Sequence, residues 1–348
     1  MTNEQTNSPV AESKPAANPA NPDRKALIVG SSLAAVGLIG FPLIRQVLRE
    51  RASVFVAREQ QYQSFLVRTI RDGLTATGLV TAGLQGKRVL LKPNLVEPMR
   101  TAPHMTTHPA VIQAAAEVFR GWGTDVLVGE GPGHLRDTEL ALIESGVQEA
   151  LGNANLAFAD LNYEEVAWVE NAGRASKLSG FYFPRSVVEA DLVVSLPKMK
   201  THHWVGVTAS LKNIYGVIPG IKYGWPKNVL HHAGIPQTVF DINASLPKTI
   251  SIVDGIECME GGPIMGTPKQ MGLIVIGTNP TAVDATVCRL MRINPARVSY
   301  LQRAAGRLGP IDEGLIDQHG EQPEGLASTF TILDEPHLRS LRDGVLMS

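Results

Sequence analysis

The segment Asp191–His203, with the sequence DLVVSLPKMKTHH, joins a continuous apolar run to a basic stretch. The apolar part, Leu192–Leu196, is typical of a strand in a parallel sheet that is covered on both faces. Lys198, Lys200 and His202 follow at the point where this strand would end. Ligands of open α/β sheets bind beyond the carboxyl ends of the strands. The segment therefore predicts both the fold class and the region of a ligand site.

Six further short apolar runs alternate along the chain with patterns of amphipathic helices. Helices are predicted over Tyr62–Thr77, Pro109–Arg120 and Thr281–Met291, the second with Thr107 as its N-cap. The alternation predicts an α/β fold with a mainly parallel sheet and helices on both faces. The six predicted strands are Ser53–Ala57, Arg88–Leu91, Asp125–Val128, Leu156–Asp160, Thr249–Val253 and Leu273–Ile276.

The overall composition is that of a globular protein with a sizeable core, since 44% of the 348 residues are hydrophobic and 19% are charged. The formal net charge of −1 argues against nucleic acid as a partner, because a general nucleic-acid-binding protein carries a basic excess. Cys258 and Cys288 are too few for a four-cysteine cluster or zinc site. Oxygen and nitrogen groups would therefore hold any cofactor.

The amino-terminal region differs from the body at 52–348. Residues 1–25 are polar and proline-rich, which predicts a disordered tail. Ala26–Ile44 is uncharged and would span about 28 Å as a helix, close to the thickness of a bilayer core. We interpret it as a single-pass transmembrane anchor, with a cleaved export signal and a buried core helix as alternatives. Its basic flanks are too evenly balanced to assign the side of the membrane.

The stretch 192–240 contains no Asp or Glu but has five lysines and four histidines. Such a concentration of positive charge attracts anionic ligands. A solvated basic loop and a surface that lies on anionic lipid are the alternatives. The five lysines are Lys198, Lys200, Lys212, Lys222 and Lys227.

Other predicted strands are also followed by groups that suit a charged ligand. Lys92 and Asn94 come after the second predicted strand, and Gly131 and Gly133 come after the third. Asp254 follows the strand at 249–253. Since the ends of parallel strands meet at one edge of a sheet, these residues are expected to share a site with the basic segment.

A divalent metal is an alternative occupant of this site, because seven of the nine histidines fall between residues 104 and 232. The candidate ligands are His202, Asp254 and Glu260, with His134 also inside the histidine-rich region. The spacing matches no compact metal-binding motif.

An ordered set of motifs resembles the DUF362 family, whose function is uncharacterised. The motifs include VLLKPNLV at 89–96, GEGPG at 129–133, LKNIYGVIPG at 211–220 and DGIECMEGGPIMGTP at 254–268. Some members carry ferredoxin-like modules; this chain is expected to have no iron–sulfur cluster of its own. The resemblance extends over about residues 53–295. The functional positions that it implies are Lys92, Asn94, Lys198, Lys200, His202, Lys212, Asn213, Asp254 and Asp284. Of these, Asp284 is expected to orient or cap a helix.

The resulting hypothesis is a membrane-anchored enzyme that acts on a small anionic substrate. Lys198, Lys200 and Lys212 would bind its carboxylate or phosphate groups, and His202 would act as acid and base. Lys200 and Asp254 complete the predicted catalytic set, with metal assistance or redox chemistry as options. The alternative function is a non-catalytic binding or assembly factor of a membrane redox complex.

Overall fold

Twelve strands and thirteen α-helices are present in the computed structural model, which describes residues 50–79, 81–133 and 136–342. The strands are β1 (Ala52–Ala57), β2 (Arg88–Pro93), β3 (Asp125–Glu130), β4 (Ala157–Asp160), β5 (Val166–Glu170), β6 (Gly180–Pro184), β7 (Leu192–Leu196), β8 (Lys198–His202), β9 (Gly206–Thr208), β10 (Thr249–Glu260), β11 (Thr267–Gly277) and β12 (Ile316–Gly320). The helices are α1 (Leu66–Ala76), α2 (Pro109–Gly121), α3 (Thr138–Ser145), α4 (Val147–Asn153), α5 (Arg185–Val188), α6 (Ser210–Asn213), α7 (Gly220–Tyr223), α8 (Asn228–His232), α9 (Ile235–Ser245), α10 (Pro280–Leu290), α11 (Ser299–Ala304), α12 (Pro323–Leu326) and α13 (Arg339–Arg342).

Some predictions concern residues outside these ranges. The predicted tail at 1–25, the predicted membrane span at 26–44 and His134 all lie outside the described residues. Across the ranges that are described, every helix is too short or too polar to cross a bilayer.

A large sheet with the order β12-β1-β11-β10-β7-β2-β3-β4 organises the fold, and β8 and β9 extend it beside β10. Six of its nine described strand pairings are parallel, which confirms a mainly parallel sheet. All seven predicted strands are present, as β1, β2, β3, β4, β7, β10 and β11. The antiparallel pairings involve β11 with its two neighbours and β8 with β9.

The order of the strands explains where a ligand crevice forms. From β2 the chain moves outward on one side through β3 and β4, whereas β7 and β10 continue the sheet on the other side of β2. The direction of winding therefore changes between β2 and β7. Open α/β sheets have their binding crevice at the carboxyl ends of the strands at such a switch point.

Both faces of the sheet are covered, as its apolar strands predicted. Val89 and Leu91 of β2 pack in a core with α1, α2 and α4, whereas Leu90 packs in a second core with α9, α10 and α11. This alternation follows from the two-residue period of a strand. Each fully buried leucine or valine contributes about 1.5–3 kcal/mol relative to exposure.

The predicted N-cap of α2 is wrong by one residue. His108 caps this helix, since its Nδ1 accepts a hydrogen bond from the Ala110 backbone at 3.1 Å. Thr107 instead connects two strand ends, because its hydroxyl accepts from the Asn94 backbone at 2.8 Å and donates to the Leu196 carbonyl. The ends of β2 and β7 are thereby held together at the switch point.

A buried ion pair joins β8 to β10. Lys198 and Asp254 are partners in the strand register, and Lys198 Nζ lies 2.6 Å from an Asp254 oxygen. Both side chains are fully buried. The carboxylate also accepts from the Tyr62 hydroxyl at 3.1 Å and from the His108 backbone at 2.9 Å, at the start of α2. The pair therefore connects the sheet to the start of α2 and to Tyr62, in the segment that precedes α1.

Replacing one partner of this pair is expected to be costly. Lys198→Met would leave the Asp254 carboxylate buried without a counter-charge and should lower the free energy of unfolding by about 3–5 kcal/mol. The double variant Lys198→Met, Asp254→Asn should recover part of this loss. Denaturant unfolding measures the effect, with Lys177→Met on the exposed surface as control. An equal, small effect in Lys198→Met and the control would contradict this interpretation.

Candidate functional site

A cavity of about 360 Å³ opens where β2 and β3 end, and four lysines line it. We call it the lysine cavity. One carboxylate, that of Glu130, also lines it. Eight residues predicted from the sequence come together here: Lys92, Asn94, Gly131, Gly133, Lys200, His202, Lys212 and Asn213. The fourth lysine is Lys227.

The Lys92 ammonium forms the base of the cavity. It is buried and donates to a Glu130 carboxylate oxygen, to the Asn213 side-chain oxygen at 3.1 Å and to the Pro93 carbonyl at 2.8 Å. Its three protons therefore all have acceptors. Burial lowers the pKa of Lys92, while the neighbouring Glu130 carboxylate acts in the opposite direction.

Asn213 connects this base to the surrounding strands. Its side-chain nitrogen donates to the Lys92 carbonyl at 3.0 Å and to the Ser195 hydroxyl at 3.1 Å. Its oxygen accepts from the Asn94 amide at 3.3 Å, which determines the orientation of that amide. Asn94 Oδ1 is therefore left buried without a hydrogen-bond partner among the described residues, and so is the hydroxyl of Thr208. Asn94 and Thr208 both line the cavity.

Lys200 and Lys227 are held by backbone carbonyls. Lys200 Nζ donates to the carbonyls of Met105 at 2.9 Å and Pro263 at 3.2 Å. Lys227 Nζ donates to three carbonyls, those of Gly131, Gly216 and Ile218. Three acceptors match the three protons of an ammonium group, so these contacts favour the charged form of Lys227.

Lys212 lies on α6, a single helical turn that Asp284 holds in place. The Asp284 carboxylate accepts from the backbone of Ser210 at 2.6 Å and of Leu211 at 3.1 Å, so it caps α6 as the family resemblance implied. Burial raises the pKa of Asp284 to about 7. Lys212 Nζ lies 4.3 Å from the centroid of the Tyr215 ring, within range of a cation–π interaction.

Three lysines of the cavity have strongly lowered pKa values. Burial, followed by the charges of nearby lysines, lowers the pKa of Lys200 to about 7. Burial and the charge of Lys92 lower the pKa of Lys212 to about 8. Burial likewise lowers the pKa of Lys227 to about 7, although Glu130 opposes the shift. Lys200 and Lys212 are thus poised to exchange protons near neutral pH.

All these residues lie within residues 89–289, which match the model of a family described as a domain of unknown function, DUF362. The chain belongs to the DUF362 family. A curated relative is the thylakoid-associated protein sll1697 of Synechocystis sp. (strain ATCC 27184 / PCC 6803 / Kazusa). It is 29% identical over 265 residues, which cover 74% of this chain and 79% of the relative.

A search of solved structures finds the lactate racemase apoprotein from Thermoanaerobacterium thermosaccharolyticum. It matches this DUF362 protein with a TM-score of 0.38 and 12% sequence identity. The match covers 70% of this chain and 58% of the racemase chain.

His202 lines the cavity of this DUF362 protein, but its surroundings do not suit the predicted acid–base role. Its Nδ1 accepts a hydrogen bond from the Trp204 backbone at 3.0 Å. Burial, followed by the charge of Lys212, lowers the pKa of His202 well below its usual value. This shift favours the neutral ring, and its acceptor nitrogen Nδ1 already has the Trp204 N–H as its partner. His202 can offer a hydrogen bond from Nε2–H to a ligand.

Two residues predicted for the site, Lys198 and Asp254, lie apart from the lysine cavity. Neither lines it, because the two form the buried ion pair between β8 and β10. The structure therefore does not bring Asp254 and Lys198 together with the other predicted site residues.

The predicted metal ligands His202, Asp254 and Glu260 do not form a common centre. Glu260 is 3.3 Å from Lys269 Nζ and accepts from the Thr331 backbone at 3.0 Å. Within the described ranges, no three His, Cys, Asp or Glu side chains are grouped so that they could hold a metal ion. These residues therefore do not fit the metal site that was predicted from them.

Sequence reasoning did not select Glu130 or Lys227 for the site. Glu130 belongs to the GEGPG motif, and Lys227 belongs to the acid-free segment, so both had a visible signal. The backbone of Lys227 has a φ of 70°, in the left-handed region that few non-glycine residues adopt. One of its acceptors, the Gly131 carbonyl, is 96 residues away in the sequence, so this contact exists only in the folded chain.

Proposed function

We propose that this DUF362 protein is an enzyme that binds a small anionic substrate in the lysine cavity. The observation that carries the proposal is the imbalance of charge at this site: four lysines line the cavity with Glu130 as the one acidic side chain among its described lining residues. Glu130 is already paired with Lys92. A carboxylate or phosphate group of a ligand would supply the missing negative charge.

Physical chemistry favours an anion because buried charges without partners are costly. Several kcal/mol of solvation are lost for each ion that is removed from water, unless an opposite charge or hydrogen bonds replace the water. Lys200 has two carbonyl acceptors, and Lys212 has no hydrogen-bond acceptor within the part of the chain described. An anion between these two lysines would restore the balance.

The volume of the cavity limits the size of the substrate. About 360 Å³ is near the lower end of the range for small-molecule pockets, roughly 300–1,000 Å³. Short carboxylic acids and small phosphorylated compounds fit such a volume. His202 Nε2–H would orient the bound group, and Lys200 or Lys212 would transfer protons.

Anion binding is tested by thermal unfolding of the full chain with sulfate, phosphate and a panel of short carboxylates. An anion at a hundred times its dissociation constant should stabilise the protein by about 2.7 kcal/mol. Lys200→Met and Lys212→Met should remove most of this stabilisation. Lys222→Met, at an exposed lysine of the same acid-free segment, should retain it. Equal stabilisation in all three variants would show a general salt effect and would contradict the proposal.

The affinity for an anion of constant charge, such as sulfate, should fall as the pH rises through about 7 and 8. Lys200 and Lys212 have pKa values near these values, and only their ammonium forms attract the anion. Above its pKa, each lysine can contribute up to about a tenfold loss of affinity per pH unit. Calorimetric titration measures the trend, which should be shallower in Lys200→Met. A constant affinity over this range would argue against these lysines as the binding groups.

We also propose a membrane-associated role, either for the enzyme or for a non-catalytic assembly factor at the membrane. The supporting observation is the name of the 29% identical relative, which is a thylakoid-associated protein. The full chain should sediment with membranes after a high-salt wash, and deletion of residues 26–44 should release it. Stoichiometric co-purification with other subunits, without turnover, would favour the assembly factor. A full chain that stays in the supernatant would contradict membrane association.

A further inference from the structure

Lys212 differs from the other lysines of the cavity in its polar contacts. Its Nζ has neither a hydrogen-bond acceptor nor an acidic partner among the described residues, and packs over Tyr215. Its backbone is nevertheless held firmly, because Asp284 caps α6 and Asn213 bonds to two strands. An amine that is held in position and makes no competing polar contact is free to react with a ligand in the cavity.

The other three lysines are committed to the protein. Lys92 is paired with Glu130, and Lys227 has three carbonyl acceptors. Lys200 donates to two backbone carbonyls, at least one of which would lose its donor if the Lys200 nitrogen formed a double bond to carbon. Lys212 has no such contacts among the described residues.

A lysine must be neutral to act as a nucleophile, and enzymes achieve this by desolvation or by a neighbouring cation. Both factors act on Lys212, where burial and the charge of Lys92 lower the pKa to about 8. Near neutral pH it therefore carries roughly a hundred times more neutral amine than a lysine with the reference pKa.

We propose that the ε-amine of Lys212 forms an imine with small carbonyl compounds that carry an acidic group, of which 2-oxo acids are the simplest. This inference rests on the proposed function, because the other cations of the cavity must bind the acidic group. The amine and the anion-binding groups line the same cavity, so one short molecule can contact both.

The covalent step is balanced without a further reactant. The nitrogen lone pair adds to the carbonyl carbon, and the C=O π electrons move to oxygen. A proton passes from nitrogen to that oxygen, which gives the carbinolamine. Its hydroxyl takes up a second proton from solvent and leaves as water while the C=N bond forms, so that the product is the protonated imine. The protonated imine withdraws electrons and acidifies the hydrogens on the adjacent carbon, which directs the site towards proton-transfer chemistry at that carbon.

Groups with unused hydrogen-bonding capacity surround this reaction. Asn94 lines the cavity, and its Oδ1 has no hydrogen-bond donor among the described residues. His202 Nε2–H can donate to the acidic group. Lys200 supplies a cation for that group without leaving its carbonyl acceptors.

The test is reductive trapping of the imine in the full-length protein. The chain is incubated with pyruvate and cyanoborohydride near neutral pH, digested, and analysed by peptide mass spectrometry. Lys212 should carry the reduced adduct and should react roughly a hundred times faster than exposed lysines, in line with its larger fraction of neutral amine. Lactate has the same carboxylate as pyruvate but a hydroxyl in place of the ketone, so it should compete for the cavity and slow the labelling. Lys212→Met should lose the adduct, whereas Lys222→Met should retain it.

The outcomes separate this inference from the function on which it rests. Stabilisation of the protein by pyruvate and lactate without an adduct on Lys212 would overturn the imine and leave anion binding intact. Labelling of Lys212 at the rate of exposed lysines would also overturn it. If no anion stabilises the protein and Lys212 is not labelled, both proposals are overturned. The wild-type peptide map decides these points even if Lys212→Met does not fold.

Discussion

The ion pair between Lys92 and Glu130 is the contact on which the rest of the site depends. It joins the ends of β2 and β3, and through Asn213 it also holds α6 against the sheet. A charge pair in this position would be expensive if its remaining hydrogen-bonding groups were unsatisfied. Here the Lys92 protons all have acceptors, so the base of the cavity is stable while other lysines face it.

The four lysines of the cavity divide into two groups according to their partners. Lys92 and Lys227 have complete sets of acceptors and shape the wall. Lys200 and Lys212 have fewer acceptors among the described residues than an ammonium group has protons. Burial lowers the pKa values of all four lysines. A protein that buries incompletely paired cations gives up stability at that place, which is a common property of functional sites. Reactivity and anion recognition would both follow from this arrangement.

Several elements were predictable from local pattern, and others were not. Strands such as β2 and β7 were recognisable because burial on both faces leaves a nearly continuous run of Val and Leu. The hairpin of β5 and β6 and the short strands β8, β9 and β12 escaped prediction. β8, β9 and β12 show no continuous apolar run, whereas the apolar runs of β5 and β6 are only three or four residues long. Lys198 and Lys200 are two residues apart on β8, yet their partners on β10 are Asp254 and Met259. This irregular register places one lysine in an ion pair and the other in the cavity.

The amino-acid sequence alone determined the α/β class, the mainly parallel sheet and the concentration of positive charge near the end of β7. These properties depend on hydrophobic period and on residue type, which are local. Only the tertiary structure shows which lysines share a cavity and that Asp254 is the buried partner of Lys198. It also shows that the surroundings of His202 favour the neutral ring. Each of these depends on burial and on groups far away in the chain: Glu130 is 38 residues from Lys92, and Asp254 is 56 residues from Lys198. Long-range contacts of this kind leave no period in the sequence.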